Sequence, residues 1–230
     1  MITMESLKKA VIGLRENMNM FMEKPYKSLH LHISKGNMKI GRTHNFSMAP
    51  IITCSNCAGC KNYCYDIKAV LQYPNVMKAR AENTAMMLKD RKKTFKQIDK
   101  YISRRKVHKL FRWHVSGDIL DLDYFSRMVK IARKHPDWIF WTYTKNYAVV
   151  NEWNRSHKGG KKSIPKNLSV MFSVWNGMPC PNPFGMPTFT CIMEGMEPDA
   201  GSWPCPGNCE SCIRSGHGCP FGESSHVPLH

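Results

Sequence analysis

"KLFRWHVSGDILDLDYFSRMVKIARKHPDWIFWTYTKN", Lys109 to Asn146, decides the fold class. It opens on a short apolar, aromatic run that reads as a strand and stops at a Ser116-Gly117-Asp118 turn. The next stretch repeats its apolar residues at helical spacing, with Asp121 or Asp123 as cap and Pro136 as stop. "DWIFWTYTKN" is a second strand, "YAVVNEWNR" a short helix and "NLSVMFSVW" a third strand. Strands alternating with helices of this length imply crossover connections and a parallel sheet, either open or part of a barrel.

Upstream, residues 4–23 read as an amphipathic helix that stops before Pro25. Two short strands follow, joined at Lys35-Gly36-Asn37. The segment from Pro74 to Lys106 is helical, with a break near Lys89-Asp90. His114 and the strand tryptophans Trp113, Trp138 and Trp141 read as core residues, and the 16 methionines as core filler. From Met178 onward Pro, Gly and Cys dominate. The division is therefore an α/β core over residues 1–177 and a cysteine-rich, metal-binding extension over 178–230.

The chain has ten cysteines, and four of them fall within "TCSNCAGCKNYCYD" as Cys54-x2-Cys57-x2-Cys60-x3-Cys64. No apolar run reaches membrane-spanning length. The N-terminus lacks the apolar core and cleavage site of a signal peptide, which places the protein in the cytoplasm. There, close-set thiols are metal ligands more often than disulfides. The spacing matches the bacterial ferredoxin run and points to a [4Fe–4S] cluster, with structural zinc as the competing reading. A second set, Cys205-x3-Cys209-x2-Cys212-x6-Cys219, fits a second [4Fe–4S] cluster or zinc, and Cys180 and Cys191 could complete it. His217 and His226 read as solvated.

Net charge is +17, and ten Lys or Arg residues lie between Lys89 and Lys109, with a second basic run from Arg155 to Lys166. Such a balance suits a nucleic acid or nucleotide partner, or else a solvated helix face and loop. Strand ends in parallel sheets carry ligands, which singles out Ser116, Gly117, Asp118, Thr144, Lys145, Asn146, Trp175 and Asn176.

A cysteine loop after an early strand, then a strand ending in a glycine turn with a carboxylate, resembles the radical S-adenosylmethionine (SAM) enzymes. That resemblance implies a partial (βα) barrel, a [4Fe–4S] cluster with one open iron that binds SAM, and an external electron donor. It implies that Ser116, Gly117 and Asp118 hold SAM, with Tyr63 and Tyr65 beside the cluster. Lys145 and Asn146, in "TYTKN", become the catalytic candidates, and that segment resembles a strand end of spore photoproduct lyase relatives. The usual C-x3-C-x2-C spacing is absent from the first loop, which offers Cys57-x2-Cys60-x3-Cys64 instead. "KIGRTHNFSMAP", "CKNYCYDIKA", "FRWHVSGDI", "FWTYTKNY" and "CPFGESSHV" are similar to the phage gene product 88 family of small cysteine-rich proteins. The combined expectation is a phage or mobile-element enzyme in the host cytoplasm. It would generate a 5′-deoxyadenosyl radical and act on a nucleotide or nucleic acid. A non-enzymatic iron–sulfur or zinc nucleic-acid-binding protein is the alternative.

Overall fold

A computed structural model describes residues 1–229. The chain begins with helix α1 (Met4–Glu23), whose Thr3 side chain caps it by accepting from the Ser6 amide. Strands β1 (Ile33–Ser34) and β2 (His44–Phe46) follow and pair antiparallel. Their connection is longer than a turn at Lys35-Gly36-Asn37 requires: a bridge between Asn37 and Gly41 closes a further turn before β2 starts. Three helices come next, α2 (Tyr65–Gln72), α3 (Pro74–Lys89) and α4 (Arg91–Ser103). Pro74 stands in the first turn of α3, where its missing N–H costs nothing. Asp90 breaks the run, at φ −154°, and caps α4 by accepting from the Lys93 amide.

The central repeat is then β3 (Leu110–Trp113), α5 (Leu122–Lys134), β4 (Ile139–Thr144), α6 (Tyr147–Ser156) and β5 (Leu168–Val174). The C-terminal part adds β6 (Thr188–Ile192), β7 (Trp203–Pro204), α7 (Cys209–Ser215) and β8 (Ser225–Pro228). All eight strands form one sheet in the order β1-β2-β3-β4-β5-β6-β8-β7. Only β1 runs antiparallel, and the sheet stays open between its edges, β1 and β7. The architecture is mixed α/β with a mostly parallel sheet.

Register assigns the two faces. Phe111, Phe140 and Leu168 align across β3, β4 and β5, as do Trp113, Thr142 and Val170. Their side chains meet Phe95, Ile98 and Ile102 of α4, Tyr124, Phe125 and Met128 of α5, and Val150 and Trp153 of α6 in one core. Each large apolar side chain buried there contributes roughly 2 kcal/mol. A second core joins α1, α2 and α3 through Leu7, Leu14, Phe21, Ile67, Val70 and Met86. Asn83 ties this layer to the sheet edge. Its amide donates to the carbonyls of His32 (2.8 Å) and Ser47 (2.9 Å).

The opposite face carries Arg112, Trp141 and Ser169 in one row and Tyr143 and Met171 in the next. The C-terminal segment covers it: Ser169 Oγ donates to the Pro220 carbonyl at 2.9 Å. The segment also reaches the far edge of the sheet. There the Cys209 amide donates to Lys39 O at 3.0 Å, and Glu210 Oε1 accepts from the Arg42 amide. Among the described residues, no helix is long and apolar enough to cross a membrane.

Candidate metal centres at the strand ends and on the inner face

The first cysteine loop leaves β2 and lies over the carboxyl ends of the parallel strands. Backbone and hydroxyl bonds stitch it to the turn after β3. The Met48 amide donates to Ser116 O and Ser116 Oγ donates to Met48 O, both at 3.0 Å. Gly117, at φ +83°, is required here, because a Cβ would sit 2.6 Å from Thr53 Oγ1.

Asp118 is buried and fully engaged. Oδ1 accepts from the Ile119 amide (2.7 Å) and Thr144 Oγ1 (2.6 Å), and Oδ2 accepts from the Lys145 amide (2.9 Å). Its carboxyl is pushed up by burial, against which these hydrogen bonds act. Asp118 is thus a bracket between the ends of β3 and β4. Asn146 braces the same turn, its amide donating to Ile119 O at 2.9 Å. Lys145 is aimed inward: Nζ donates to Ser173 Oγ at 3.0 Å and stands 5.6 Å from the centre of the Trp175 ring. Tyr63 faces Trp175 with ring centres 5.9 Å apart. Tyr65 leaves its ring half-exposed and donates its hydroxyl to Val115 O.

All ten cysteines are free thiols. Burial pushes the Cys54 thiol up to about 12, and the Asp118 charge adds to the effect. Burial likewise pushes Cys64 up to about 11. Cys57 is raised by burial and by Cys60, and Lys61 and Lys145 oppose the rise. Thiols in such surroundings become thiolates only against a strong positive centre, as metal ligands do. Cys191, in β6, has its thiol raised by burial and lies in reach of the Lys145 and Cys60 charges, on the side of the first loop. Cys180 lies against Tyr147, whose hydroxyl faces its sulfur.

The second set gathers on the inner face of the sheet. Cys205, Cys209, Cys212 and Cys219 lie within reach of one another's charge, beside Arg112 and Tyr143. His217 stacks on Trp203 and bonds Glu223, and His226 bonds Ser202, so the Nδ1 of each is occupied. Among the described residues, no three His, Cys, Asp or Glu side chains are gathered closely enough to hold a metal ion, so the case for either set rests on its donor chemistry. By donor type, each set of four thiols suits a [4Fe–4S] cluster or zinc alike.

Sequence reasoning passed over Arg112, Tyr143, Trp203 and Ser225. One signal was present for Arg112: it alternates with Phe111 and Trp113, and a charge at that period faces the opposite side of the strand.

Of the basic residues, Arg91 pairs with Asp121 and Asp123, Lys93 with Asp90, Lys109 with Asp137 and Lys134 with Asp99. Lys92, Lys96, Arg127, Lys130 and Lys134 line a groove of about 220 Å³ between α4 and α5.

Comparison with curated proteins and with solved structures finds no match. The family model described as Gene product 88 matches residues 20–178. That span is well over half of the 230 residues, and the chain belongs to the gene product 88 family.

Proposed function

We propose that this protein is a phage or mobile-element iron–sulfur enzyme of radical-SAM type on a partial (βα) barrel, acting on a nucleotide or nucleic acid. One observation carries the reading. A loop of four free cysteines is fixed over the carboxyl ends of parallel strands, beside the Ser116-Gly117-Asp118 turn and the inward Lys145. That is where open parallel sheets bind their ligands. Cys60 and Cys64, with Cys54 or Cys57, would hold a [4Fe–4S] cluster. When bound, it would supply the electron that cleaves SAM to a 5′-deoxyadenosyl radical, an external donor having reduced it.

The chain's own residues have separate tasks. Lys145 presents a cation to the carboxylate of SAM or to a substrate phosphate. Tyr63 and Trp175 form an aromatic wall against which a flat ring can lie. Asp118 and Asn146 act through position, by holding the backbone from which Lys145 projects. Met178 packs against Gly59, where a Cβ would meet its Sδ at 2.4 Å, so the loop backbone can lie close to the turn after β5.

The deciding experiment is electron paramagnetic resonance of anaerobically purified, dithionite-reduced protein with and without SAM. A [4Fe–4S]⁺ signal that changes on adding SAM is the expected result. An iron signal indifferent to SAM would sink the enzyme reading.

The basic groove between α4 and α5 favours a second reading, a metal-bound nucleic-acid-binding protein without SAM chemistry. It predicts salt-dependent binding of nucleic acid and no SAM affinity.

A further inference from the structure

Arg112 is a cation without an anion. It projects from β3 onto the sheet face beneath the C-terminal segment, and its guanidinium lies 4.6 Å from the centre of the Tyr143 ring. Nε is shut off from solvent and has no hydrogen-bond partner. Among the described residues no carboxylate pairs with it. The residue as a whole is half-buried, and a guanidinium partly withdrawn from water with no carboxylate opposite favours a counter-ion on its inner side. The groups that face Arg112 are the sulfurs of Cys209 and Cys219 and the hydroxyls of Tyr143 and Tyr65.

The other donors around this cysteine set point the same way. Trp203 Nε1 is buried without a partner by ordinary hydrogen-bond geometry and faces the Cys212 sulfur. The Ser225 and Tyr143 hydroxyls face Cys219. Gly218, at φ +81°, lets sulfur and indole crowd together: a Cβ there would stand 3.1 Å from Cys212 Sγ and 3.2 Å from Trp203 Cδ1. Neutral thiols are weak acceptors and would waste these donors. Thiolates bound to a metal are strong acceptors, and N–H groups aimed at them hold and tune such centres.

We propose that Cys205, Cys209, Cys212 and Cys219 hold a four-thiolate metal centre of net negative charge, with Arg112 as its counter-ion and Trp203, Tyr143 and Ser225 as its sulfur-directed donors. Four thiolates around a zinc ion or around an oxidised four-iron cluster leave the same net dianion, so the argument is common to both metals. The inference rests on the reading that this chain's cysteines ligate metal, and it is independent of SAM at the first loop. Arg112 is a positioning residue: its charge faces the Cys209 and Cys219 sulfurs, and it takes no part in the reaction at the strand ends.

The test is residue-resolved thiol alkylation of the anaerobically isolated protein, read by mass spectrometry, with iron, sulfide and zinc measured on the same sample. In the wild type these four cysteines should resist alkylation until a chelator is added. Iron with sulfide identifies a cluster, and zinc alone a single ion. Arg112→Gln should shorten that protection by about ten- to a hundredfold, with Cys54–Cys64 unaffected, and Arg112→Lys should restore part of it. Rapid alkylation of all four in the wild type would overturn the proposal, as would unchanged protection in Arg112→Gln. If Arg112→Gln bares every cysteine, the fold has failed, and Trp203→Phe decides instead. Removing that N–H should shift the sulfur-to-metal absorption of the second centre at constant metal content, and an unmoved spectrum would overturn the proposal. Protected second-set thiols in a protein indifferent to SAM would leave this inference standing and remove the enzyme reading alone.

Discussion

His114 lies one residue past β3, at φ +56°, with its ring sealed between two hydroxyls. Nε2 is 2.8 Å from Tyr124 Oη and Nδ1 3.2 Å from Thr142 Oγ1. The helical and strand patterns point to a core residue, and the burial agrees. Burial, reinforced by the Arg112 charge, pulls its pKa from 6.5 down to about 3. The unfolded chain takes up a proton below pH 6.5, whereas the folded protein refuses one until about 3. Stability that His114 contributes above 6.5 is therefore lost as pH falls through that window. The slope reaches about 1.4 kcal/mol per pH unit, and the total roughly 5 kcal/mol. Urea unfolding of wild type and His114→Gln at about pH 7, 6 and 5 measures it. The gap between the two should narrow as pH falls, and a constant gap would show that His114 does not titrate with folding. Arg112 marks what sequence could not give at this scale. Its alternation showed which face it takes, but its lack of a carboxylate partner depends on what the C-terminal segment brings across the sheet.

At the scale of elements, the boundaries of α3, α4 and α5 were legible because each rests on local chemistry, whereas α7, inside the cysteine-rich segment, was not. Proline stands in the first turn of α3, Asp90 separates α3 from α4, and Asp121 starts α5. Asp121 does two things: its Oδ1 accepts from the Tyr124 amide at 2.9 Å and pairs with Arg91 at 2.6 Å, linking α5 to α4. Asp121→Ala should lower the unfolding free energy by about 1 kcal/mol through the lost cap, with a smaller share from the half-exposed pair. Asp121→Asn keeps a capping oxygen and should recover most of that loss. Equal losses in both variants would move the effect from the cap to the ion pair. Strands β3, β4 and β5 were legible from their aromatic and β-branched runs. Strands β6, β7 and β8 were not, because short segments among Pro, Gly and Cys carry no periodicity of their own. Thr188–Ile192 is a strand because β5 and β8 flank it, and pairing of that kind is a tertiary fact. The same holds for Cys191, which the sequence grouped with the second thiol set, whereas within β6 its thiol lies in reach of the Lys145 and Cys60 charges.

Across the whole molecule, the change of composition at Met178 does not coincide with an edge of the sheet. Beyond it, β6 pairs with β5 through Phe172↔Thr188, Ser173↔Phe189 and Val174↔Thr190, and β8 and β7 extend the same sheet. Three strands and both flanks of the second thiol set thus come from the extension, while Arg112 and Tyr143 come from the core. A chain ending at residue 177 would bare the β6-facing edge of β5 over Phe172–Val174. It would also uncover the face carrying Trp141 and Met171, both now fully buried. An open, apolar edge strand beside an uncovered apolar face is a template for association. The 1–177 fragment should therefore accumulate as aggregate or elute as large oligomers, while the full chain elutes as a discrete species. Size-exclusion chromatography of the two, prepared alike, gives the comparison. A fragment that stayed discrete and unfolded cooperatively would show that β2 to β5 with their helices suffice as a folding unit. The cysteine-rich segment would then be a separable cover, and the coupling of Arg112 to its thiols would belong to function rather than to folding.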